Sequence, residues 1–252
     1  MQTHPYFTND RVIVLAHRGG AIPTENTIAA FQIALAGGAD VIETDIQATK
    51  DGVAVLFHDE TIERLTGVKK RVSELDWSEL SQMKLSEATS VPSLRQALTE
   101  FPSAKFNIDI KSQDAIADLV STVETLLAHE RVLVSSFSNK RRLLALSQFS
   151  KPVATSASAT VVVKVWFYSL IGLPSTVIAK TLKGIGALQI PRRMKFLKLD
   201  SPRFIKKVLA TGTQLHYWTI NDPKEILELA SQGASGIVTD VPELAVQTLR
   251  KA

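Results

Sequence analysis

The stretch DVIETDIQATKDGVAVLFH, residues 40–58, contains two β-rich runs, DVIETDIQ and VAVLFH, that only ATKDG separates. This linker is too short for the helical crossover that joins parallel strands, and its Asp51-Gly52 pair is a hairpin-turn signal. We therefore predict a β-hairpin over about 46–57. Such a hairpin carries His58 back beside Asp45, whereas a straight continuation of the strand would carry it away.

Outside this hairpin, β-rich runs alternate strictly with amphipathic helical patterns. The runs lie at 12–17, 40–47, 105–111, 131–137, 152–157, 186–191, 215–221 and 236–240, and the helical patterns lie at 26–38, 93–101, 114–130, 139–149, 160–182, 201–212, 222–233 and 242–252. Strict alternation over this length is typical of a parallel sheet closed as a (β/α)8 TIM barrel. We predict one α/β barrel domain over 1–252, with the hairpin standing above its second strand.

The composition of the 252 residues is that of a globular protein, and the net charge of +4 suits an anionic substrate or a membrane surface. The absence of cysteine excludes disulfides and thiolate metal sites. The start of the chain, MQTHPYFTNDRV, lacks a secretory signal, and no apolar run is long enough for a membrane span. We expect a cytoplasmic protein, with peripheral membrane contact as an extension. Nucleic acid is disfavoured as a partner, because the basic residues are dispersed and no aromatic residues interleave them.

Charged side chains end several of the predicted strands. In a TIM barrel, the carboxyl ends of the strands face the active-site mouth, and residues two apart on a strand share a face. His17 and Arg18 end the first strand, and Glu43 with Asp45 share a face of the second. Asp109 and Lys111 share a face of the third strand, together with Asn107. We expect these groups to converge at one mouth.

Three carboxylates in one place need a cation, because each like charge raises the pKa of the others. Glu43, Asp45 and Asp109 are hard oxygen ligands that suit one divalent cation, Mg²⁺ or Ca²⁺. The alternative is that Glu43 and Asp45 are ordinary rim charges that form ion pairs.

Arg18 and Lys111 are donors of the kind that bind phosphate, although both could neutralise the carboxylates without any ligand. His17 and His58 are suited to proton transfer near neutral pH, although a single histidine is more often a structural residue. Together these groups predict hydrolysis of a phosphodiester. The nucleophile is either water or a hydroxyl of the substrate, and the second route passes through a cyclic phosphate.

At these residues the chain resembles the glycerophosphodiester phosphodiesterase family. The matching segments are AHRGG and PTENT within 16–27, GADVIETDIQATKDGVAVLFHDETIERLTG (38–67), FNIDIK (106–111), SSF (135–137), YWTIND (217–222) and GIVTDVP (236–242). They extend in family order from the first predicted strand to the last. The resemblance implies a PLC-like TIM barrel, a divalent cation, and hydrolysis of glycerophosphodiesters to sn-glycerol 3-phosphate and an alcohol.

The resemblance also assigns roles to individual residues. Carried over by motif, the metal ligands are Glu43, Asp45 and Asp109, the acid–base pair is His17 and His58, and the phosphate contacts are Arg18 and Lys111. Trp218 resembles the ring that packs on glycerol, although it could simply fill the mouth. Asn26 is expected to stiffen the first loop or to cap the first helix, and Glu25 to contact Arg18 or the metal site. Many family members carry Glu in place of Asp109, which bears on the choice of metal.

The segment ATVVVKVWFYSLIGLPSTVIAK, 159–180, is unusually apolar. It is either a barrel helix with a broad core-facing side, or an apolar lip that touches lipid or an acyl chain. In the second case, weak membrane or lysophospholipid contact through 161–173 and lysophospholipase D-type hydrolysis follow. A third possibility is a phosphate- or lipid-binding barrel without catalysis, which the complete set of histidines and carboxylates disfavours.

Overall fold

The computed structural model describes residues 4–7, 10–20, 24–86, 89–194 and 197–250. The strands are β1 (Ile13–His17), β2 (Val41–Ala48), β3 (Ala54–Leu56), β4 (Lys84–Ser86), β5 (Thr89–Ser90), β6 (Lys105–Ile110), β7 (Val132–Ser135), β8 (Ala154–Thr155), β9 (Ala187–Ile190), β10 (Arg193–Met194), β11 (Leu197–Lys198), β12 (Gln214–Tyr217) and β13 (Gly236–Thr239). The helices are α1 (Ile28–Ala36), α2 (Glu63–Thr66), α3 (Trp77–Leu80), α4 (Leu94–Glu100), α5 (Ile116–Thr125), α6 (Asn139–Leu146), α7 (Ala159–Leu170), α8 (Ser175–Thr181), α9 (Pro202–Leu209), α10 (Pro223–Ser231) and α11 (Pro242–Arg250).

Eight of these strands form the predicted parallel barrel, in the order β8, β7, β6, β2, β1, β13, β12 and β9. A parallel bridge between Ser156 and Ala187 joins the two ends of this row. At the same place the N–H of Ala157 donates to the carbonyl of Ala187 at 2.9 Å. The fold expected from the alternation is confirmed, and every predicted barrel run contains a strand.

The predicted hairpin is also present. β3 pairs antiparallel with the upper part of β2, with Ala48 opposite Ala54 and Ile46 opposite Leu56. The N–H of Phe57 then donates to the carbonyl of Asp45 at 3.0 Å, which returns the chain to the strand end just before His58. After the hairpin, a segment for which no element was predicted adds α2, α3 and the small β4–β5 ribbon.

Side chains, most of them apolar, fill the lower part of the barrel interior, and charged groups lie at the top. Tyr6, Leu15, Val41 and Val238 pack inside the lower barrel, and the N-terminal segment that contains Tyr6 closes this end. The ammonium of Lys105 donates to the carbonyl of Tyr6 at 2.8 Å and so holds that segment in place. Because the bottom is filled with side chains, ligands can enter only from the top.

The predicted helix over 160–182 is wrong in one respect, because two helices occupy it. α7 ends at Leu170 and α8 begins at Ser175, and Gly172 between them has φ of +83°. Pro174 precedes α8 and cannot continue α7, since it lacks a backbone N–H. Within the described ranges, no helix combines the length and the apolar character needed to cross a bilayer.

Candidate active site

A cavity of about 250 Å³ opens at the carboxyl ends of the barrel strands. Eight of the predicted site residues line it: His17, Arg18, Glu43, Asp45, His58, Asp109, Lys111 and Trp218. Glu25 and Asn26 stand behind this layer and bond to its members. The expected convergence of the strand ends at one mouth is therefore present.

Strand register brings the carboxylates together. On neighbouring parallel strands, Asp45 of β2 lies directly opposite Asp109 of β6, and Glu43 lies opposite both His17 of β1 and Asn107 of β6. These side chains point into the barrel because they share the inward-facing parity of their strands. Asp45 is 2 % exposed and Asp109 is 6 % exposed, so water solvates neither carboxylate well.

Two cationic side chains neutralise part of this cluster. Lys111 Nζ lies 2.9 Å from Asp45 Oδ1 and 2.7 Å from Asp109 Oδ2. Arg18 Nε lies 3.2 Å from Asp45 Oδ2. Burial lowers the pKa of Lys111, but the charges of Asp109 and Asp45 together raise it by more, so this pKa lies above its ordinary value. The ion-pair reading of Arg18 and Lys111 is thus realised in this structure, and phosphate binding by either residue must compete with these carboxylates.

Glu43 is different, because no salt bridge within the described residues reaches it. Among the described residues, its side chain accepts one hydrogen bond, from the backbone N–H of Arg18 to Oε2 at 3.3 Å. Burial, followed by the charge of Asp45, raises the pKa of Glu43 to about 8. On the adjacent strand, Asn107 is 3 % exposed, and no described residue donates a hydrogen bond to its buried Oδ1. Glu43 therefore lies opposite Asn107, and both are buried polar groups to which a cation could bind.

His17 is held by a carboxylate that the sequence patterns did not single out. Its Nδ1 lies 2.7 Å from Oδ1 of Asp240, which follows β13, the neighbour of β1. Burial lowers the pKa of His17, but this hydrogen bond and the charge of Glu43 together raise it by more, so the pKa lies above its ordinary value. Asp240 ends a predicted strand, so the rule that selected the other charged strand ends would have found it.

His58 has a matching arrangement. Its Nδ1 lies 2.7 Å from Oδ1 of Asp59, and Arg64 Nε donates to the other oxygen of Asp59 at 2.6 Å. Arg64 also bonds Glu25, which in turn accepts a hydrogen bond from Arg18 Nη1 at 3.1 Å. A carboxylate on Nδ1 fixes the ring and leaves Nε2 of each histidine free for proton transfer. Asp59 directly follows His58 in the sequence, and this adjacency could have identified it as the partner of His58.

The loop after β1 explains why arginine and glycine follow a buried strand. Arg18 has φ of +52° and Gly19 has φ of +87°, so the chain turns sharply above the strand. A Cβ at Gly19 would lie 2.7 Å from the Cβ of Ala30, which only glycine avoids. The turn aims the guanidinium of Arg18 into the mouth.

Asn26 secures this loop to the second strand. Its Oδ1 accepts the hydroxyl of Thr44 at 2.7 Å, and its Nδ2 donates to Asp45 at 3.4 Å. The alternative role of Asn26 as a helix cap is wrong, because the hydroxyl of Thr27 caps α1 by accepting the N–H of Ala30. Glu25 contacts Arg18, as expected.

Aromatic rings form one wall of the cavity. Trp218 packs edge-to-face on Phe137, with ring centroids 6.1 Å apart. Lys111 Nζ lies 5.5 Å from the centre of the Phe137 ring. Phe137 is 57 % exposed and was not predicted as a site residue. This wall offers apolar contact next to the cationic group.

The other histidines are not at the mouth. His216 is fully buried inside the barrel and bonds to Gln214 Oε1 at 3.0 Å. Burial lowers its pKa to about 4, so it is neutral at physiological pH.

The residues at the mouth have the right chemistry for a hard divalent cation. Within the described ranges, Glu43 has no salt bridge and Asn107 Oδ1 has no donor. All the acidic groups offer oxygen, which Mg²⁺ and Ca²⁺ prefer. As the described side chains stand, no three acidic or histidine groups enclose an ion. In this arrangement the ammonium of Lys111 lies between Asp45 and Asp109, so a cation would have to share or replace that contact.

Two imidazoles, each held by a carboxylate, and two cationic side chains line one cavity, an arrangement compatible with hydrolysis of a phosphodiester, and comparison with known proteins agrees with that class. The model of the glycerophosphoryl diester phosphodiesterase family matches residues 17–244. The chain therefore belongs to this family, and it is an enzyme, a phosphoric diester hydrolase.

The similar proteins carry related names. A Mycobacterium tuberculosis protein named probable glycerophosphodiester phosphodiesterase 2 is 36% identical over 92% of this chain and 88% of its own length. A human lysophospholipase D is 30% identical over 90% of this chain and 83% of its own. Among solved structures, a phosphodiesterase of Oleispira antarctica in complex with the product sn-glycerol-3-phosphate has a TM-score of 0.78 at 22% identity, covering 94% of this chain and 96% of its own. At that identity the likeness shows the fold alone.

Proposed function

We propose that this enzyme hydrolyses glycerophosphodiesters to sn-glycerol 3-phosphate and an alcohol, with His17 and His58 as the acid–base pair and one divalent cation bound at the mouth. The observation that carries this proposal is the pair of imidazoles, each fixed through Nδ1 by its own carboxylate, in a cavity that also holds the acidic cluster. A binding module without catalysis needs no such pair.

Glu43, Asp45 and Asp109 would hold the cation, and Asn107 Oδ1 offers a further neutral oxygen. When bound, Mg²⁺ or Ca²⁺ would polarise a phosphoryl oxygen and offset the negative charge that develops during attack. A cation would also favour the ionised form of Glu43, because burial and the charge of Asp45 raise the pKa of this carboxyl in the absence of a metal.

The cationic side chains position the phosphate. Arg18 presents a planar fork of donors and Lys111 a point charge, and both line the cavity beside the acidic cluster. Glu25 and Asn26 keep Arg18 and its loop in place. The substrate phosphate would replace part of the ion pairing that these two side chains make with Asp45 and Asp109.

The two histidines move the protons. One Nε2 takes a proton from the attacking hydroxyl, and the other gives a proton to the alkoxide that leaves. Asp240 stabilises the protonated form of His17, as the raised pKa of that imidazole reflects. Asp59, held by Arg64, fixes the His58 ring through Nδ1. The attacking hydroxyl comes from water or from the substrate glycerol, and both routes use the same pair.

The glycerol moiety fits against the aromatic wall. Trp218 and Phe137 offer apolar ring faces next to Lys111, which suits a carbon backbone that carries a phosphate. The Mycobacterium tuberculosis relative named probable glycerophosphodiester phosphodiesterase 2 supports a glycerophosphodiester as the substrate.

The test is an assay of the purified chain against glycerophosphocholine, glycerophosphoethanolamine, glycerophosphoinositol and lysophosphatidylcholine, with and without chelator. We expect release of sn-glycerol 3-phosphate from the first three, loss of activity with EDTA, and recovery with Mg²⁺ or Ca²⁺. Asp45→Asn should weaken activation by the cation, and Glu60→Gln, which changes an exposed carboxylate outside the cavity, should not. Full turnover in EDTA would refute the role of the cation.

A second candidate is lysophospholipase D-type hydrolysis. The cavity wall next to α7 is apolar, formed by Ala159, Val162 and Met194, and could seat an acyl chain. The relative named lysophospholipase D supports this reading. Release of choline from lysophosphatidylcholine at a rate comparable to that from glycerophosphocholine would establish it, and a rate no higher than that of His17→Ala would exclude it.

A further inference from the structure

Acidic residues are nearly absent from one part of this chain. Between residues 131 and 221 there are fifteen Lys or Arg residues and a single acidic residue, Asp200, although the whole chain has 29 basic and 25 acidic residues. This segment supplies β7–β12 and α6–α9, which are neighbours in the barrel wall. One side of the barrel is therefore strongly positive and the rest is net negative.

The same side exposes an apolar stripe. On α7 and its C-cap, four residues at helical spacing face solvent: Val163 at 41 %, Phe167 at 48 %, Leu170 at 54 % and Ile171 at 54 %. Their spacing of four, three and one places them within an arc of about 100° on one side of the helix. The opposite face of α7, which includes Val165, packs in the core. The helix is thus apolar on both sides, and only one side is covered by protein.

Basic side chains border this stripe. Lys207 of α9 donates to the carbonyl of Gly172, directly after the stripe, at 3.3 Å, and a Cβ on Gly172 would lie 2.9 Å from Arg203 Nη2. At the other end, Lys164 lies over the ring of Tyr168. In the part of the chain that the structure describes, none of these cations forms a salt bridge with a carboxylate. The exposed Lys180 and Lys183 belong to the adjacent α8 and its end.

We propose that this surface, the α7 stripe with its basic border, docks on an anionic phospholipid membrane. Apolar side chains enter the boundary between headgroups and acyl chains, and Lys and Arg attract anionic lipid, which is the usual arrangement of an interfacial helix. A second copy of the chain fits poorly, because a symmetric contact would bring two positive faces together. Nucleic acid fits poorly as well, since Leu170 and Ile171 offer nothing to a phosphate backbone.

Docking here would place the catalytic cavity at the lipid surface. Ala159 and Val162, in the first turn of α7, line the cavity, and Val163 begins the exposed stripe next to them. A substrate derived from membrane lipid could pass from the headgroup layer along this wall to the mouth. The inference concerns binding alone and does not depend on which diester the enzyme prefers.

The experiment is flotation of the full chain with vesicles of phosphatidylcholine, with or without phosphatidylglycerol. We expect binding to the mixed vesicles, weaker binding at high salt, and little binding to phosphatidylcholine alone. The double variant Phe167→Ser, Leu170→Ser should weaken binding by at least ~10-fold, because it removes two exposed apolar side chains of the stripe. Lys180→Ala and Lys183→Ala should each weaken it by about fivefold.

Matched controls come from the opposite side of the barrel. Ile33 of α1 is 56 % exposed, and Lys69 is an exposed lysine outside the basic segment. Ile33→Ser and Lys69→Ala should bind vesicles as the wild type does. All variants should keep the wild-type melting temperature and the wild-type rate on a soluble diester.

Three results would overturn the proposal. One is wild-type protein that does not float with anionic vesicles at low salt, and another is an equal loss of binding in the Ile33→Ser control. The third is a stable dimer in light scattering that Phe167→Ser dissociates, which would assign the stripe to a second copy of the chain.

Discussion

Replacing Glu43 with glutamine removes the one buried carboxylate at the mouth that no cationic side chain of the described residues contacts. Burial and the charge of Asp45 raise the pKa of Glu43 to about 8, from an ordinary 4.5. In the unfolded chain this group ionises near its ordinary pKa, whereas in the folded, cation-free protein it keeps its proton. Between the two values the unfolded state binds fewer protons, so stability falls as the pH rises.

The size of this loss of stability follows from the difference between the folded and unfolded pKa values of Glu43. Each pH unit between the two pKa values lowers the free energy of unfolding by about 1.4 kcal/mol, which gives about 4 kcal/mol between about pH 5 and about pH 8. For a chain of 252 residues this equals about 8 °C in melting temperature. Glutamine does not titrate, and its side-chain oxygen can still accept the N–H of Arg18.

The assay is thermal unfolding of chelator-treated protein across this pH range. We expect the melting temperature of the wild type to fall relative to that of Glu43→Gln as the pH rises, and Glu60→Gln to follow the wild type. Saturating Mg²⁺ or Ca²⁺ should raise the melting temperature of the wild type, most strongly near pH 8, and should affect Glu43→Gln less. Parallel curves for the wild type and Glu43→Gln without cation would refute the reasoning, because Glu43 would then ionise at its ordinary pKa.

Four further predictions concern the catalytic groups and the first loop. His17→Ala and His58→Ala should each lower kcat by at least ~10²-fold, and near-wild-type turnover in either variant would remove that residue from the proton transfers. Asp240→Asn should lower the pKa of His17, so the limb of the kcat/KM profile that His17 sets should move to lower pH; an unmoved profile would contradict the pairing. Lys111→Met should raise KM by ~10-fold or more with an intact circular dichroism spectrum, whereas an unfolded variant would make Lys111 a structural counter-ion. Gly19→Ala should cost ~1–3 kcal/mol in denaturant unfolding because its positive φ and the contact with α1 exclude a Cβ, and unchanged stability would show that the turn relaxes.

The site also shows how the family motifs divide between chemistry and support. The imidazoles and the acidic cluster face the cavity. A series of ion pairs connects the loop of Arg18 to the end of the hairpin at His58, and its members are Glu25, Arg64 and Asp59. These ion pairs thus join the segments that carry Arg18 and His58, the proposed phosphate-binding and proton-transfer groups. A change at Arg64 would therefore disturb both groups without touching the substrate.

Much of the fold and of the site could be predicted from the sequence, because both depend on local rules. Alternating strand and helix patterns specify a parallel barrel, and the short turn at Asp51-Gly52 specifies the hairpin that returns His58 to the mouth. The period of two along a strand, together with the common position of parallel strand ends, places Glu43, Asp45 and Asp109 at one mouth.

Other features depend on distances across the closed barrel, and only the tertiary structure decides them. Asp240 lies 223 residues from His17 in the chain and becomes its partner because β13 pairs with β1. The sequence predicts which charged residues lie at the mouth, but strand register and burial determine how they pair. Lys111 bridges two carboxylates, whereas no cationic side chain of the described residues forms a salt bridge with Glu43. The uncovered stripe on α7 is likewise a matter of packing, since the sequence pattern shows how apolar a helix is, and the neighbouring helices determine which side is buried.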